Sequence, residues 1–290
     1  MRLLLTLLLT LLMVLPVEAA SPDESEGYAA FKQFLETPMQ KTDRMSMVQF
    51  IFNSPLAKGE ITSYELEIPK KKLDTGMGSL KFGMTSGDKP VAFEIPFHFV
   101  TKKNAVQVYF KLDDEWKKSS YENVEVESLG AHAIAGILSC VSRAEITNED
   151  DTRKAVRVSF NGETLATLST LIFKDAAKTS KQTEAFVNCI GETFRKTGTI
   201  DADFVIDKST QKPLAIFIDV SKLFGNMVNS LITNFDEAKL LTHFGEIASQ
   251  SELRFNVVFN YDGDFDVKAF EIPREARKAK ELKTENTKTR

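Results

Sequence analysis

Residues 91–99 read Val-Ala-Phe-Glu-Ile-Pro-Phe-His-Phe, with a large apolar side chain at every second position. A period of two places these side chains on one side of a half-buried β-strand. The same alternation returns in segments that begin near Tyr64, Val106, Val156, Ala202, Leu214, Leu253 and Phe265. The sequence therefore predicts one large antiparallel sheet with a single apolar side.

Pro96 lies inside the quoted stretch. Because proline has no backbone N–H, it interrupts the hydrogen-bond ladder of a central strand. We therefore expect this strand to lie at an edge of the sheet, or to carry a bulge, near Pro96.

The chain begins with an apolar run over residues 3–15, which Pro16 ends. A run of this length, followed by the small residues Ala19 and Ala20, is typical of a secretory signal peptide and is short for a membrane-spanning helix. We expect residues 1–20 to be removed on export, which leaves a soluble periplasmic or extracellular protein. An uncleaved N-terminal anchor is the less favoured alternative, because a single cation flanks the run.

Composition limits the class of protein. The formal net charge of −4 is spread along the chain, so there is no basic footprint for nucleic acid. The 22 phenylalanines far outnumber the 5 tyrosines and 1 tryptophan, which suits an interior with few polar groups. The length allows one large domain or two small ones. Since no low-complexity linker is present, we expect a single domain over residues 21–282 and a charged flexible tail over residues 283–290.

Cys140 and Cys189 are the only two cysteines, and both lie in segments with helical patterning and apolar neighbours. In an oxidising compartment they are candidates for a disulfide. Two separate buried thiols explain them equally well. Two cysteines and three scattered histidines supply too few ligands for a metal site. We predict neither a metal nor a cofactor.

No local signature of catalysis is present: the chain has no Gly-x-Ser-x-Gly elbow, no Gly-rich phosphate loop and no carboxylate pair in a suitable context. His98, His132 and His243 lie on different predicted elements, without a partner at fixed spacing. The protein is therefore predicted not to be an enzyme. An exported hydrolase would require a histidine within reach of a serine or a carboxylate in the folded chain.

Helical patterning covers residues 126–141, 162–197 and 222–247. The last of these segments carries a wide apolar stripe at spacings of three and four residues. This helix is expected either to lie across the open side of the sheet or to act as a movable lid or contact surface. A closing hairpin is predicted over residues 252–272, turned at residues 262–263.

Three short phrases carry a family resemblance: Val-Gln-Val-Tyr-Phe at residues 106–110, Glu-Trp-Lys-Lys at residues 115–118 and Glu-Ile-Pro at residues 271–273. With the order of the elements, they make residues 26–282 resemble the lipoprotein-carrier superfamily (the LolA/LolB/LppX-like proteins), in particular an uncharacterised exported bacterial branch. The resemblance implies an α+β fold with a curved antiparallel sheet, a half-barrel, covered on its apolar side by α-helices. In better-known members this arrangement encloses a cavity for acyl chains. Unlike many relatives, this chain has no cysteine directly after the signal, since its first is Cys140.

We therefore expect an exported, non-catalytic binding or carrier protein for an apolar ligand, a lipid or the acyl chains of a lipoprotein, held between sheet and helices. The expected ligand-binding residues are Phe93, Phe97, Phe99, Phe110, Phe204 and Phe255. Ordinary core packing explains each of them at least as well. The alternative is an envelope-associated structural or interaction protein with a filled core, no small ligand and an envelope protein as its partner.

Overall fold

The structure, a computed structural model, describes residues 25–36, 43–68, 73–86, 89–102, 105–122, 131–174, 178, 180–235 and 242–281. The predicted signal peptide, residues 1–20, and the predicted tail, residues 283–290, lie outside these ranges. Within them the chain forms twelve strands and six α-helices. None of the described helices has both the length and the apolar composition needed to cross a membrane.

The strands are β1 (Arg44–Asn53), β2 (Ala57–Ile68), β3 (Leu73–Ser86), β4 (Lys89–Lys102), β5 (Ala105–Leu112), β6 (Glu115–Glu122), β7 (Val141–Glu149), β8 (Arg153–Asn161), β9 (Thr199–Asp207), β10 (Pro213–Asp219), β11 (Glu252–Asn260) and β12 (Lys280–Glu281). The helices are α1 (Glu26–Glu36), α2 (Ala131–Ser139), α3 (Gly162–Ile172), α4 (Lys181–Thr197), α5 (Ser221–Asn234) and α6 (Thr242–Ser249).

The twelve strands form one sheet in the order β12-β6-β5-β4-β3-β2-β1-β11-β10-β9-β8-β7. Where the register is described, neighbouring strands pair antiparallel, except for β12, which pairs parallel with β6. The sheet is open, with β12 and β7 as its end strands. The prediction of an α+β fold built from one large antiparallel sheet and helices is confirmed.

The chain forms two compact units. The first unit contains the described residues within Met1–Met39, Ile51–Ala57 and Glu127–Val257, and the second unit those within Gln40–Phe50, Lys58–Val126 and Val258–Arg290. Whether the two units unfold together, as the single-domain prediction for residues 21–282 requires, stays a prediction.

The core of the first unit is built by β7, β8 and β9 with the helices that pack on them. The rings of Phe31 and Phe34 in α1 lie 4.7 and 5.0 Å from the ring of Phe204 in β9, measured between centroids. A Cβ on Gly27 would lie 2.6 Å from the Ala144 carbonyl oxygen, so this glycine allows α1 to approach β7 closely. The other buried members of this core are Ile137, Cys140, Ala144, Val156, Val158, Phe160, Leu165, Ala166, Leu168, Ile190, Phe194, Ala202 and Ile206. The side chains of this core pack against one another.

Capping residues mark the ends of the two helices described within the predicted helical stretch 162–197. The Asn161 side chain accepts hydrogen bonds from two backbone N–H groups in the first turn of α3, at 2.9 and 3.0 Å. Ser180 caps α4 in the same way, at 3.1 Å. Gly198, with φ of 78°, ends α4, because glycine adopts a positive φ at little cost. The predicted helix 222–247 is likewise two helices, α5 and α6.

The predicted closing hairpin over residues 252–272 is wrong in its second half. After β11, residues 267–270 form a 3-10 helix instead of a strand. The Asp266 side chain accepts a hydrogen bond from the Lys268 backbone N–H at 3.0 Å, which favours a tight turn over an extended chain. Phe270 is then buried against β2. An alternating apolar pattern is compatible with both conformations over so few residues.

In the second unit, alternate side chains of β2 to β6 lie on opposite sides of the sheet. On one side, Leu66 and Ile68 are buried together with Phe270 of the C-terminal segment. The Thr75 hydroxyl lies 2.9 Å from the Phe99 carbonyl oxygen and 3.3 Å from that of Phe270. The C-terminal segment thus covers this side of the sheet, and the opposite side carries the candidate site.

Candidate functional site

The opposite side of β3, β4 and β5 carries a set of large apolar side chains that we name the β3–β5 face. Its members are Leu80, Phe82, Met84, Val91, Phe93, Ile95, Phe97, Phe99, Val106, Val108 and Phe110. Cross-strand pairing sets Phe82 opposite Phe93, with ring centroids 5.3 Å apart, and sets Phe97 opposite Phe110. An apolar surface therefore crosses three neighbouring strands.

The β3–β5 face is buried at one end and open at the other. Phe99 is only 6% exposed, and Phe97 and Phe110 are partly buried. Towards the hairpin that joins β3 and β4, Phe93 is 48% and Val91 is 53% exposed. Single exposed apolar residues are ordinary, whereas Met84, Val91 and Phe93 are exposed next to one another on paired strands.

Gly76 and Gly78 of β3 make room for two of the predicted phenylalanines. A Cβ on Gly76 would lie 2.1 Å from Cζ of Phe99, and one on Gly78 would lie 2.7 Å from Cζ of Phe97. The two rings therefore lie across β3, over positions that have no side chain. Sequence analysis missed this arrangement, although two glycines two residues apart in a strand signal a close approach.

Pro96 marks the point where β4 changes from an inner strand to an edge strand. β4 pairs with β3 from residue 89 to residue 100, but its ladder with β5 ends at Phe97. The Phe99 carbonyl is turned towards β3, where it meets the Thr75 hydroxyl. Because backbone groups alternate in direction, Pro90 and Pro96 face the outer edge, where their missing N–H breaks no ladder bond. The prediction of an edge at Pro96 is confirmed.

Polar residues lie on β1 and β2, on the same side of the sheet as the β3–β5 face. Ser63 of β2 is fully buried, and a Cβ on Gly78 would lie 2.8 Å from its Cα. Glu67, also on β2, pairs with Arg44 of β1 at 2.5 Å. The Arg44 guanidinium carbon lies 5.5 Å from the centroid of the Phe259 ring. The inner end of this side of the sheet is therefore polar, and its arginine already has a carboxylate partner.

His98 lies on the side of the sheet that the C-terminal segment covers. Its ring centroid is 5.9 Å from that of Trp116. Burial lowers the pKa of His98, which favours the neutral imidazole. Among the described residues its Nδ1 atom has no hydrogen-bond partner. The described ranges also hold no group of three or more His, Cys, Asp or Glu side chains placed to bind a metal.

Phe204 and Phe255 belong to the first unit, unlike the other four predicted ligand-binding residues. Phe204 packs in the core with Phe31 and Phe34, and Phe255 of β11 is also buried. The structure therefore brings four of the six together on the β3–β5 face: Phe93, Phe97, Phe99 and Phe110. Alternation in a sequence cannot separate a strand that lines a site from one that packs a core.

Cys140 and Cys189 are free buried thiols, so the structure contains no disulfide between them. The Cys140 thiol donates a hydrogen bond to the Gly136 carbonyl at 3.3 Å. Burial raises the pKa of Cys140 to about 11 and also raises the pKa of Cys189. Since the thiolate is the reactive form, neither cysteine has the character of a nucleophile in the folded protein.

The helix α5 packs on its neighbours through small and polar residues as well as through part of its apolar stripe. The side-chain amides of Asn226 and Asn234 donate to Thr197 and Glu192 of α4, each at 3.1 Å. Gly225 is buried close to the backbone of α6. The apolar stripe remains only partly buried, and its members are Leu223, Phe224, Met227, Val228, Leu231, Ile232 and Phe235. Two of these members contact other parts of the first unit: Leu223 packs against its core, and the Phe224 ring lies 6.1 Å from the ring of Phe52.

Comparison with known proteins adds little to this description. No family model and no curated protein matches the chain. Among solved structures, the chain is similar to a DUF1329 family protein from Desulfovibrio piger, with 9% sequence identity over 84% of this chain and 95% of that chain. The TM-score of this match is 0.25, which is too low to support a conclusion about this chain.

Proposed function

We propose that the protein is an exported, non-catalytic binding or carrier protein for an apolar ligand, either a lipid or the acyl chains of a lipoprotein. The observation that carries the proposal is the β3–β5 face, whose aromatic side chains remain open to solvent towards Phe93 and Val91. Apolar surface left in water costs about 25 cal/mol per Å². A ligand that covers this face recovers that free energy.

The dimensions of the β3–β5 face suit an acyl chain. From Val91 to Phe99, β4 extends over about 26 Å at roughly 3.3 Å per residue. The hydrocarbon core of a bilayer is about 30 Å thick and contains two layers of chains, so a single chain spans about half of that thickness. One extended chain therefore fits along the face with room to spare.

Export is supported by the sequence alone. The apolar run over residues 3–15 and the small residues after Pro16 are typical of a signal peptide. An exported protein with an apolar face can hold a lipid on that face while the lipid crosses an aqueous space.

The decisive experiment is native mass spectrometry of the mature protein purified from its own envelope, followed by organic extraction and lipid analysis. We expect discrete adducts that extract as lipids, and an N-terminus that begins near residue 21. A bare mass that stays unchanged after incubation with fatty acids and phospholipids would overturn the proposal.

Variants of Phe97 separate a binding role from a packing role. Phe97→Asp should abolish ligand retention, because it places a charge where the chain lies, whereas Phe97→Leu should keep both the fold and the ligand. Circular dichroism reports the fold and native mass spectrometry the ligand. If both variants simply unfold, Phe97 is a core residue and not part of a site.

One observation favours a second candidate function, an envelope-associated structural or interaction protein without a small ligand. The core of the first unit is filled by its own side chains, with Phe204 packed against Phe31 and Phe34. In this case the β3–β5 face would contact another protein. The bare mass described above, together with co-purification of one envelope protein in stoichiometric amount, would favour this alternative.

A further inference from the structure

On the side of the sheet that carries the β3–β5 face, two buried hydroxyls have no hydrogen-bond partner among the described residues. Ser63 of β2 is 0% exposed, and its Oγ atom has no hydrogen-bond partner among the described residues. The Oγ1 atom of Thr101, at the inner end of β4, is also buried without a described partner. Nearly all buried polar groups in folded proteins are hydrogen-bonded, so such atoms call for an explanation. Ser63 lies beside the apolar face at the level of Gly78 and Phe97, and Thr101 lies past Phe99, at the end of β4 away from the exposed Val91 and Phe93.

The Phe97 ring, a member of the β3–β5 face, lies next to Ser63. The ring lies over Gly78, and Gly78 is also the residue whose Cβ position would approach the Ser63 Cα, at 2.8 Å. Phe97 itself is only partly buried. Its ring can therefore turn outward without leaving a closed core, and in doing so it uncovers the backbone of β3 and the Ser63 hydroxyl.

The charges near Ser63 disfavour an anionic ligand group. Arg44 is already paired with Glu67 at 2.5 Å, and the side chains of this pair are only 16% and 31% exposed. Glu65 lies between Ser63 and Glu67 on the same side of β2. Because Arg44 and Glu67 neutralise each other, the three side chains carry a formal net charge of −1, which repels a carboxylate or phosphate but not an uncharged hydrogen-bonding group.

We propose that Ser63 binds the uncharged polar group of an acyl lipid, an ester, amide or hydroxyl, while the acyl chain lies along the β3–β5 face towards Phe93. This inference rests on the proposed function and narrows the ligand to lipids with a neutral head, such as a monoacylglycerol. The lipid binds with its head inward, at the buried end of the face. Phe97 occupies the place of the ligand when the site is empty.

The test compares three probes on the full mature chain: monopalmitoylglycerol, palmitate and hexadecane, each measured by displacement of the neutral dye phenylnaphthylamine. Wild type should bind monopalmitoylglycerol most tightly. Ser63→Ala should weaken monopalmitoylglycerol binding by about tenfold and leave hexadecane binding unchanged, because only one hydrogen bond is removed. Ser79→Ala, on the other side of β3, is the matched control and should change neither affinity.

A stability measurement tests whether the Ser63 hydroxyl stabilises the fold instead of binding a ligand. Without ligand, Ser63→Ala should unfold at the same urea concentration as wild type or at a higher one, because it removes a buried hydroxyl that has no partner in the described part of the chain. A clear loss of stability would show that the hydroxyl has a structural partner and would overturn the inference.

The outcomes distinguish the two proposals. If no probe displaces the dye, the proposed function fails, and this inference fails with it. If all three probes bind but Ser63→Ala weakens none of them, or weakens all equally, the carrier function stands and the neutral-head site is wrong. Tighter binding of palmitate than of monopalmitoylglycerol would also overturn the charge argument.

Discussion

Phe93 and Phe204 occupy equivalent positions in two alternating strand patterns, yet the folded chain uses them differently. Phe93 is 48% exposed at the open end of the β3–β5 face. Phe204 is 6% exposed and touches two other phenylalanine rings. The difference arises from what covers each strand, because α1 lies over β8 and β7 beside Phe204 and brings its own aromatic side chains.

Truncation should separate these two phenylalanines. Phe204→Ala should lower the free energy of unfolding by about 3–5 kcal/mol, since it leaves a cavity in a closed core. Phe93→Ala should lower it by less than about 1 kcal/mol and should weaken ligand binding instead. Urea denaturation measures both values, with Phe217→Ala, at another exposed strand position, as control. Equal losses for Phe93 and Phe204 would contradict the distinction.

His98 should give the fold a pH dependence. Burial lowers its pKa from the ordinary value of 6.5, so the folded protein binds this proton more weakly than the unfolded chain does. The contribution of His98 to stability is therefore complete above pH 6.5 and is lost as the pH falls towards the folded pKa. In His98→Gln the free energy of unfolding should depend less on pH in this window.

The matched change His243→Gln, at an exposed position of α6, serves as the control for this pH profile. Denaturant midpoints taken in steps below pH 7 give the comparison. A His98→Gln profile parallel to that of wild type would show that the imidazole is no less basic in the fold than in the unfolded chain.

At the scale of single elements, β4 combines an exposed apolar surface with an edge that resists strand pairing. Beyond Pro96 its outer edge has no described partner strand, and exposed edges of this kind are templates for aggregation. Pro90 and Pro96 both face that edge, so the outward N–H groups between residues 90 and 96 come from Ala92 and Glu94 alone. Each proline removes one N–H donor from that edge, which weakens its pairing with a further strand.

Replacing Pro90 and Pro96 should restore the two missing backbone N–H donors at this edge and should therefore promote self-association. The double variant Pro90→Thr/Pro96→Thr gives β4 four outward N–H groups at alternate positions, enough to begin an intermolecular ladder. Light scattering during size-exclusion chromatography should show concentration-dependent dimers or larger species. Ala92→Thr raises strand propensity without adding a backbone N–H group, so its elution should match that of wild type. A double variant that elutes as wild type does would show that the prolines do not protect the edge.

At the scale of the whole molecule, the two compact units carry separate natural probes. Trp116, the single tryptophan, lies in the second unit. Both cysteines are buried in the first unit. Tryptophan fluorescence and thiol labelling therefore report on different parts of the chain during unfolding.

The single-domain prediction requires both probes to change at the same urea concentration, because one cooperative transition exposes all buried groups together. We expect coincident midpoints and, without a reductant, two labelled thiols per chain. Separate midpoints would show that the units unfold independently. Absence of labelling in the fully unfolded chain would show that Cys140 and Cys189 form a disulfide in solution, contrary to the structure.

Much of the strand content and part of the site could be read from the alternating pattern. The strand through residues 91–99 and its edge at Pro96 followed from the pattern, whereas only four of the six predicted phenylalanines lie together on the β3–β5 face. The closing hairpin was not predicted correctly. The apolar residues at positions 265, 267 and 269 pack against one core, and a strand would direct the same three residues to one side. The packing of α5 through Asn226 and Gly225 was missed because a helical stripe does not show which side meets its neighbours.

By itself the sequence determined that the chain forms an α+β fold with a large antiparallel sheet, since the period of a strand depends only on the local pleat of the backbone. Tertiary structure alone decided which phenylalanines close a core and which remain open, how Phe97 lies over Gly78, and that the buried Ser63 hydroxyl meets no partner within the described ranges. These features depend on residues that are distant in the sequence and meet only when strands pair and helices pack. The burial of a side chain depends on its neighbours in the fold. The same residue type in the same alternating pattern can therefore be buried in one strand and exposed in another.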